Sequence, residues 1–390
     1  MSHRIPRNLI HATAIVDHRG VIAFPGALLL EGDCIVQVGT PQELGSIEGV
    51  SLTQIDKIIT PSFVNAHSHL DLSGAGLAPS GDSFVQWVQE VVLPIRRKTD
   101  LIEHHVQKGI SLVTAGGSTI VGDIAGSPVA GELVEESSLR SISFVELFGL
   151  GKRQFHAIEQ LQSLPTHFGI SPHAPYSCGK LVYEACFKSG RKVSTHLSES
   201  KEEIQSVREF QGPLVEHAKR VGSWDDTVES WDAHPIDAVL DVAGDTPFVA
   251  AHLNYVDDRH LSLLTESNIT VAYCPRASQY FGHTNHRWKE MLDRGINVAL
   301  GTDSLLCLDT PDRISIVDEM RYLYKHEQGD PKQLFKMATY NGAVGLGFEP
   351  SLVTLCTGET AGLLAFDSAG GEPLSDIFEA TTMPTWLSMQ

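Results

Sequence analysis

Residues Pro61–Asp71, PSFVNAHSHLD, decide how the chain is read. His67 and His69 follow a short apolar run, Ile58 to Val64, that reads as a β-strand. Side chains alternate along an extended segment, so two histidines two residues apart point the same way at the strand's end. Neutral imidazole is the commonest protein ligand for zinc and iron, and one face of this strand end can therefore offer two metal ligands. His-x-His alone is a frequent chance pattern, so its meaning depends on the rest of the chain.

Outward from that stretch, short apolar strands alternate with helical segments. Strands are expected at Ile58 to Val64, Thr119 to Ile124, Ser141 to Leu147, Phe168 to Pro172, Lys192 to Thr195, Phe248 to Ala251, Thr270 to Cys274 and Asn297 to Leu300. Eight strand-then-helix units predict an α/β fold, a (β/α)8 TIM-like barrel with its active site at the carboxyl ends of the strands. Thr310, followed by Pro311, is expected to cap a helix carrying Ile316, Met320 and Leu323 on one face and ending at Gly329. Asp330 to Gln333 opens the next helix. Residues 1–57 read as β-rich, in LIHATAIV, VIAFPGALLLEG and CIVQVG, and residues 350–390 return to strand-like, Gly-punctuated sequence. The expected organisation is a barrel over 58–349 and a small β-sandwich built from 1–57 and 350–390.

The 390 residues are enough for such a pair of units, with 42% hydrophobic and 20% charged residues. A formal net charge of −19 repels phosphates, which argues against nucleic acid and anionic membrane and for a small-molecule partner. The start, MSHRIPRNLIHATAIVDH, lacks a signal-like apolar core, and no stretch reaches the ~20 apolar residues of a membrane span. A cytoplasmic protein is expected. Six scattered cysteines without a CxxC pair suggest idle or buried thiols, whereas 18 histidines are unusually many.

The ionisable residues at the expected strand ends form a set. His67 and His69 follow strand one, His173 strand four, His196 strand five, His252 strand six and Asp303 strand eight. Each taken alone reads as an ordinary histidine or loop cap; their placement at one rim does not. Three histidines and a carboxylate can hold one divalent ion and leave a position for water, whose pKa the ion lowers toward neutrality. Asp303 can both ligate the ion and accept the water's proton. Glu199 stands three residues after His196, on the same side of a helix if one begins there, and can carry a proton to a leaving group or ring nitrogen. Its other reading is a helix N-terminal acid in a run with Glu202 and Glu203.

HSH, STHLSES, AAHLN and GTDS together resemble the amidohydrolase superfamily, in its deaminase and chlorohydrolase branch, and SPHAPYS and the split terminal sheet extend the likeness over most of the chain. The resemblance implies one divalent metal ion, zinc ahead of iron, on His67, His69, His196 and Asp303. It further implies Glu199 as proton shuttle, His252 orienting or polarising the nucleophilic water and His173 contacting substrate. A carboxylated lysine, the mark of the two-metal branch, has no counterpart near His173, and Glu146 reads as a buried supporting acid more readily than as a metal bridge. Around CPRASQYFGH the chain is similar to adenosine-type and aminofutalosine deaminases.

The chain also departs from that pattern. CPRAS stands where CPxSN is usual, which makes Arg276 a candidate substrate contact or an ordinary surface arginine, with Tyr280, His283 and His286 nearby. The segment SGAGLAPSGDSFVQWVQEVVLPIRRK starts as a loop and becomes an amphipathic helix suited to a lid, from which Trp87 either stacks on a planar substrate or packs the helix face. The leading expectation is hydrolytic deamination of an aminated heteroaromatic ring, purine nucleoside-like, with aminofutalosine among the candidates, and release of ammonia. Hydrolytic dechlorination or cyclic amide opening at the same metal is the first alternative, and a non-catalytic binding barrel the second. Association into a homo-oligomer is left open, since no interface signature stands out.

Overall fold

A computed structural model describes residues 7–81 and 83–389; the first six residues of the expected N-terminal unit and Asp82 of the expected lid loop lie outside them. The barrel strands are β1 (Phe63–Ser68), β2 (Ser118–Ala125), β3 (Arg140–Leu147), β4 (Gly169–Pro172), β5 (Ser194–Leu197), β6 (Phe248–His252), β7 (Ile269–Tyr273) and β8 (Asn297–Leu300). They pair in parallel as two four-stranded sheets, β1 to β4 and β5 to β8. Two seams close the barrel. Ile170 bridges to Val193 between β4 and β5, and Ser68 bridges to Asp303 between β1 and the segment after β8. The second seam is reinforced where Thr302 N–H donates to His67 O at 2.9 Å. β1, β2, β6 and β7 are buried along their whole length, so none of them shows the alternation of a half-exposed strand.

Both chain ends join one eight-stranded mixed sheet. Its strand Ser51–Pro61 lies between Arg7–Asp17, parallel to it, and Gly362–Asp367, antiparallel to it. This corrects the first expected strand: Ile58 to Pro61 belong to the small sheet, and the barrel strand begins only at Phe63. Pro61 cannot donate a ladder bond, and the chain changes partners there, Ser62 N–H donating to Gly362 O and Phe63 N–H to Gly117 O. Seven of the eight strands form one hydrogen-bonded path and the eighth, Gly20–Ala23, pairs off it with Arg7–Asp17, so where a sandwich is expected the chain ends form one sheet carrying apolar side chains on its faces.

The helix expected from Thr310 begins later, as Ile316–Glu327 with Ser315 as its cap. Thr310 is engaged elsewhere: its hydroxyl accepts from Arg276 and donates to Arg313 O. Asp330 caps Pro331–Ala338 as expected, accepting from Gln333 N–H at 2.8 Å. Cys178, Cys186, Cys274 and Cys307 are buried free thiols. No described helix is long and apolar enough to cross a membrane.

Between β1 and β2 a helical stretch runs from Phe84 to Arg96, with a π-helical segment Val88–Val92 in its middle. It covers the carboxyl ends of the strands and forms one wall of the cavity there.

Candidate active site

The barrel brings the expected residues to one rim. His67 lies in β1 and His69 just beyond it, His196 in β5, His252 at the last position of β6, and Asp303 shortly after β8. His69 Nε2 stands 3.2 Å from His196 Nε2 and 3.5 Å from Asp303 Oδ1. Within each of three trios, His67–His196–His252, His67–His69–Asp303 and Glu199–His252–Asp303, the ligand atoms lie within 4.8 Å of one another. The backbone is strained to achieve this: Ser198, His252, Leu253 and Asp303 all have positive φ, between 51° and 73°.

Both ring nitrogens of His67 and Nε2 of His252 are buried without a hydrogen-bond partner among the described residues. Orphaned imidazole nitrogens facing a carboxylate are a costly arrangement that a divalent ion relieves. His196 Nδ1 lies 3.1 Å from His173 O, to which it can only donate, so its Nε2 is left with a free lone pair toward the cluster. Burial, reinforced by neighbouring imidazoles, holds His67, His69 and His252 well below the usual imidazole pKa. These rings are neutral ligands near pH 7. The donor set thus fits a metal of the zinc and iron class.

Burial also pushes the Asp303 carboxyl up to about 7. A metal must displace that proton, so affinity should weaken as pH falls below about 7, by roughly tenfold per unit for one displaced proton. A metal titration against a competing chelator between pH 5.5 and 8 measures the slope, and a flat profile would contradict it.

Glu199 sits just past β5, with Oε1 3.6 Å from His252 Nε2. Burial first, then the neighbouring Asp303, Glu203 and Glu202, hold its carboxyl well above the usual range. A carboxyl whose pKa is raised in this way is suited to act as a general acid. The cavity before it, about 490 Å³, is walled by Phe84, Trp87, Val88, Phe148, Tyr176 and Leu214, with His69, His196, Glu199 and Asp303 at its floor. A mostly apolar pocket with a few converging polar groups suits a planar organic substrate.

His173 follows β4 and lines the same cavity, its ring 4.7 Å from that of Phe148 and its Nδ1 2.7 Å from Ser177 Oγ. Trp87 also lines the cavity while its Nε1–H donates to Tyr280 at 2.9 Å, so it serves both the wall and the packing of the helical stretch that carries it. Arg276 is placed differently. Its guanidinium turns away from the cavity onto Glu319 at 2.7 Å and Asp309 at 2.9 Å, and it is absent from the lining. The substrate contact expected of it is therefore corrected to a buried ion pair, because Glu319 is fully buried and requires a cation. Arg276→Ala should lower stability by about 3–5 kcal/mol by stranding that carboxylate, measured by urea unfolding. His283 and His286 line a separate polar pocket with Tyr322, and His286 Nε2–H donates to His252 O at 2.8 Å.

Sequence reasoning missed Arg96. From the end of the Phe84–Arg96 stretch its Nη1 donates to Glu146 Oε2 at 2.5 Å, its Nε lies 3.3 Å from Asp71 Oδ2 and its Nη2 3.3 Å from His69 Nδ1. Although burial raises the Glu146 carboxyl, Arg96, His173 and His196 bring it below the ordinary range. Glu146 is an anion paired with Arg96, in keeping with a supporting role. The run IRRK showed a basic helix end but not which arginine turns inward.

A 5-methylthioadenosine/S-adenosylhomocysteine deaminase of Pyrococcus abyssi is 27% identical over 354 residues, which are 84% of this chain and 77% of that protein. Helicobacter pylori aminofutalosine deaminase in complex with methylthio-coformycin shares the fold with a TM-score of 0.77 at 19% identity, over 96% of this chain and 97% of that one. Atrazine chlorohydrolase from Arthrobacter aurescens TC1, complexed with zinc, does so with a TM-score of 0.76 at 15% identity, over 97% and 92%. Residues 58–385 match the amidohydrolase family, a span that contains every barrel strand and every residue of the rim described above. The chain belongs to the amidohydrolase family.

Proposed function

We propose that this protein is a hydrolase that deaminates an aminated heteroaromatic ring, purine nucleoside-like in shape, releasing ammonia. The observation that carries the reading is Glu199: a buried carboxyl, its pKa raised by burial, grouped with His252 and Asp303 on the floor of a cavity walled by aromatic and aliphatic groups. The names of the sequence relatives support it.

His67, His69, His196 and Asp303 would hold one divalent ion, and zinc in solved structures of the same fold supports that metal. Bound there, the ion supplies Lewis acidity that brings the pKa of coordinated water toward neutrality. Asp303 would take a proton from such a water, and His252 would orient it toward the ring carbon bearing the amino group. Glu199 donates its proton to the adjacent ring nitrogen as the carbon becomes tetrahedral. The amino group takes up the water-derived proton and leaves as ammonia, the carbonyl forms, and Glu199 recovers its proton. His173 and the Trp87 wall hold the ring, and the Phe84–Arg96 stretch excludes bulk water. A small-molecule substrate and a cytoplasmic location belong to the same reading.

Dechlorination is separated by leaving group. Chloride departs without a proton and ammonia takes one up, while protonation of the ring nitrogen by Glu199 would serve either. Matched purine ribosides bearing amino or chloro at the same carbon test this, with ammonia and chloride both assayed. Ammonia from the amino compound is expected; chloride release without any ammonia would sink the reading.

A further inference from the structure

Glu199 stands on a short irregular segment between β5 and the helix Lys201–Glu209, yet side chains from outside that segment hold both sides of its peptide frame. The main-chain N–H groups of Ser198 and Glu199 donate to the two oxygens of Glu203, at 2.9 Å and 2.7 Å. The Glu199 carbonyl accepts from Asn254 Nδ2 at 2.9 Å. Asn254 Oδ1 in turn accepts from Ser278 Oγ at 2.8 Å, which fixes the end of the amide that faces Glu199. Glu203, Asn254 and Ser278 are all buried.

Helix capping does not account for this arrangement. Ser200 is the N-cap and its hydroxyl accepts from Glu203 N–H at 3.2 Å, which is half of a capping box. In the complete box the carboxylate returns to the N–H of the cap residue itself. Here it reaches past the cap to the two residues before it, one of them Glu199. Ser198, with φ 51°, supplies the turn that brings both N–H groups to one side.

We infer that Glu203 and Asn254 are positioning residues that clamp the Glu199 peptide from opposite sides, with Ser278 fixing the orientation of the Asn254 amide. The clamp ties the ends of β5, β6 and β7 together at the one side chain that must meet the substrate proton by proton. The inference rests on the proposed role of Glu199 as proton shuttle. Asn254→Ala removes the donor to the Glu199 carbonyl without touching a metal ligand or the cavity lining. Glu203→Gln turns one acceptor into a donor that opposes a main-chain N–H.

The test compares wild type with N254A, E203Q, S278A, E199Q and the N254A/E199Q double variant. S-adenosylhomocysteine and 5-methylthioadenosine serve as probes, and hydrogen exchange is followed over residues 197–203. N254A should raise exchange of the Ser198 and Glu199 amides about tenfold and lower kcat by ~10²-fold, with KM and bound metal nearly unchanged, the signature of lost orientation. It should cost nothing further in the E199Q background, because it acts through Glu199. S278A should show the same effects in smaller degree. Wild-type exchange in N254A and S278A overturns the clamp, as does a drop in thermal midpoint with kcat preserved, which is all that a capping role would produce. Full activity in E199Q would instead remove the shuttle reading, with the exchange data still deciding whether the clamp exists. Should E203Q not fold, N254A and S278A decide alone.

Discussion

Replacing Glu199 with Gln should reduce kcat for ammonia release by about 10²–10⁴-fold, or about 3–5 kcal/mol in the barrier. Gln has nearly the same shape and keeps an oxygen for the contact with His252, 3.6 Å away in the native chain. It cannot deliver an acidic proton to a ring nitrogen. None of the metal-facing groups of His67, His69, His196 or Asp303 is touched, so bound metal should stay at the wild-type level. KM should change little, since the lost interaction exists only as the proton moves. Steady-state ammonia assays on metal-quantified protein check this, and wild-type kcat would remove Glu199 from the mechanism.

His67→Ala should have the larger effect on metal. His67 is wholly buried in β1, and neither ring nitrogen has a hydrogen-bond partner among the described residues, so the cluster is its only polar outlet. Removal of a partner that merely supports a ligand costs 10–100-fold in affinity, and removal of the ligand itself should exceed about 10²-fold. Metal at a thousand times its Kd stabilises the native wild type by about 4 kcal/mol, and the variant should lose that increment. The check is thermal unfolding with and without added zinc. The wild-type midpoint should rise and that of His67→Ala should not; a variant that still bound one zinc tightly would contradict the ligand assignment.

The residues named by those two predictions were legible in the sequence because each follows an apolar run that ends at the same rim. His67, His196 and His252 could be ordered by strand alone, and barrel geometry then places strand ends together. What the sequence hid depends on long-range partners. Ser62 alone separates two strands belonging to different sheets within what reads as one apolar run. Arg276 follows β7 like a substrate contact, yet Glu319, 43 residues on, captures it. Arg96 looks like one of several basic residues at a helix end until the barrel sets Glu146 and Asp71 beneath it. Glu203 reads as a favourable charge at a helix start, and only its two hydrogen bonds to Ser198 and Glu199 show what it grips. In each case the alternating or helical pattern locates the backbone, and a partner remote in sequence decides where the side chain goes.

The most direct test of the central claim is ammonia release by protein of known metal content across adenosine, 5-methylthioadenosine, S-adenosylhomocysteine, aminofutalosine and guanine, before chelation, after it and on reloading with zinc. Ammonia from at least one of these, lost with the metal and restored by about one equivalent of zinc, is the predicted result. Metal-loaded protein that releases no ammonia from any of them, or turnover that survives complete removal of the metal, would contradict it.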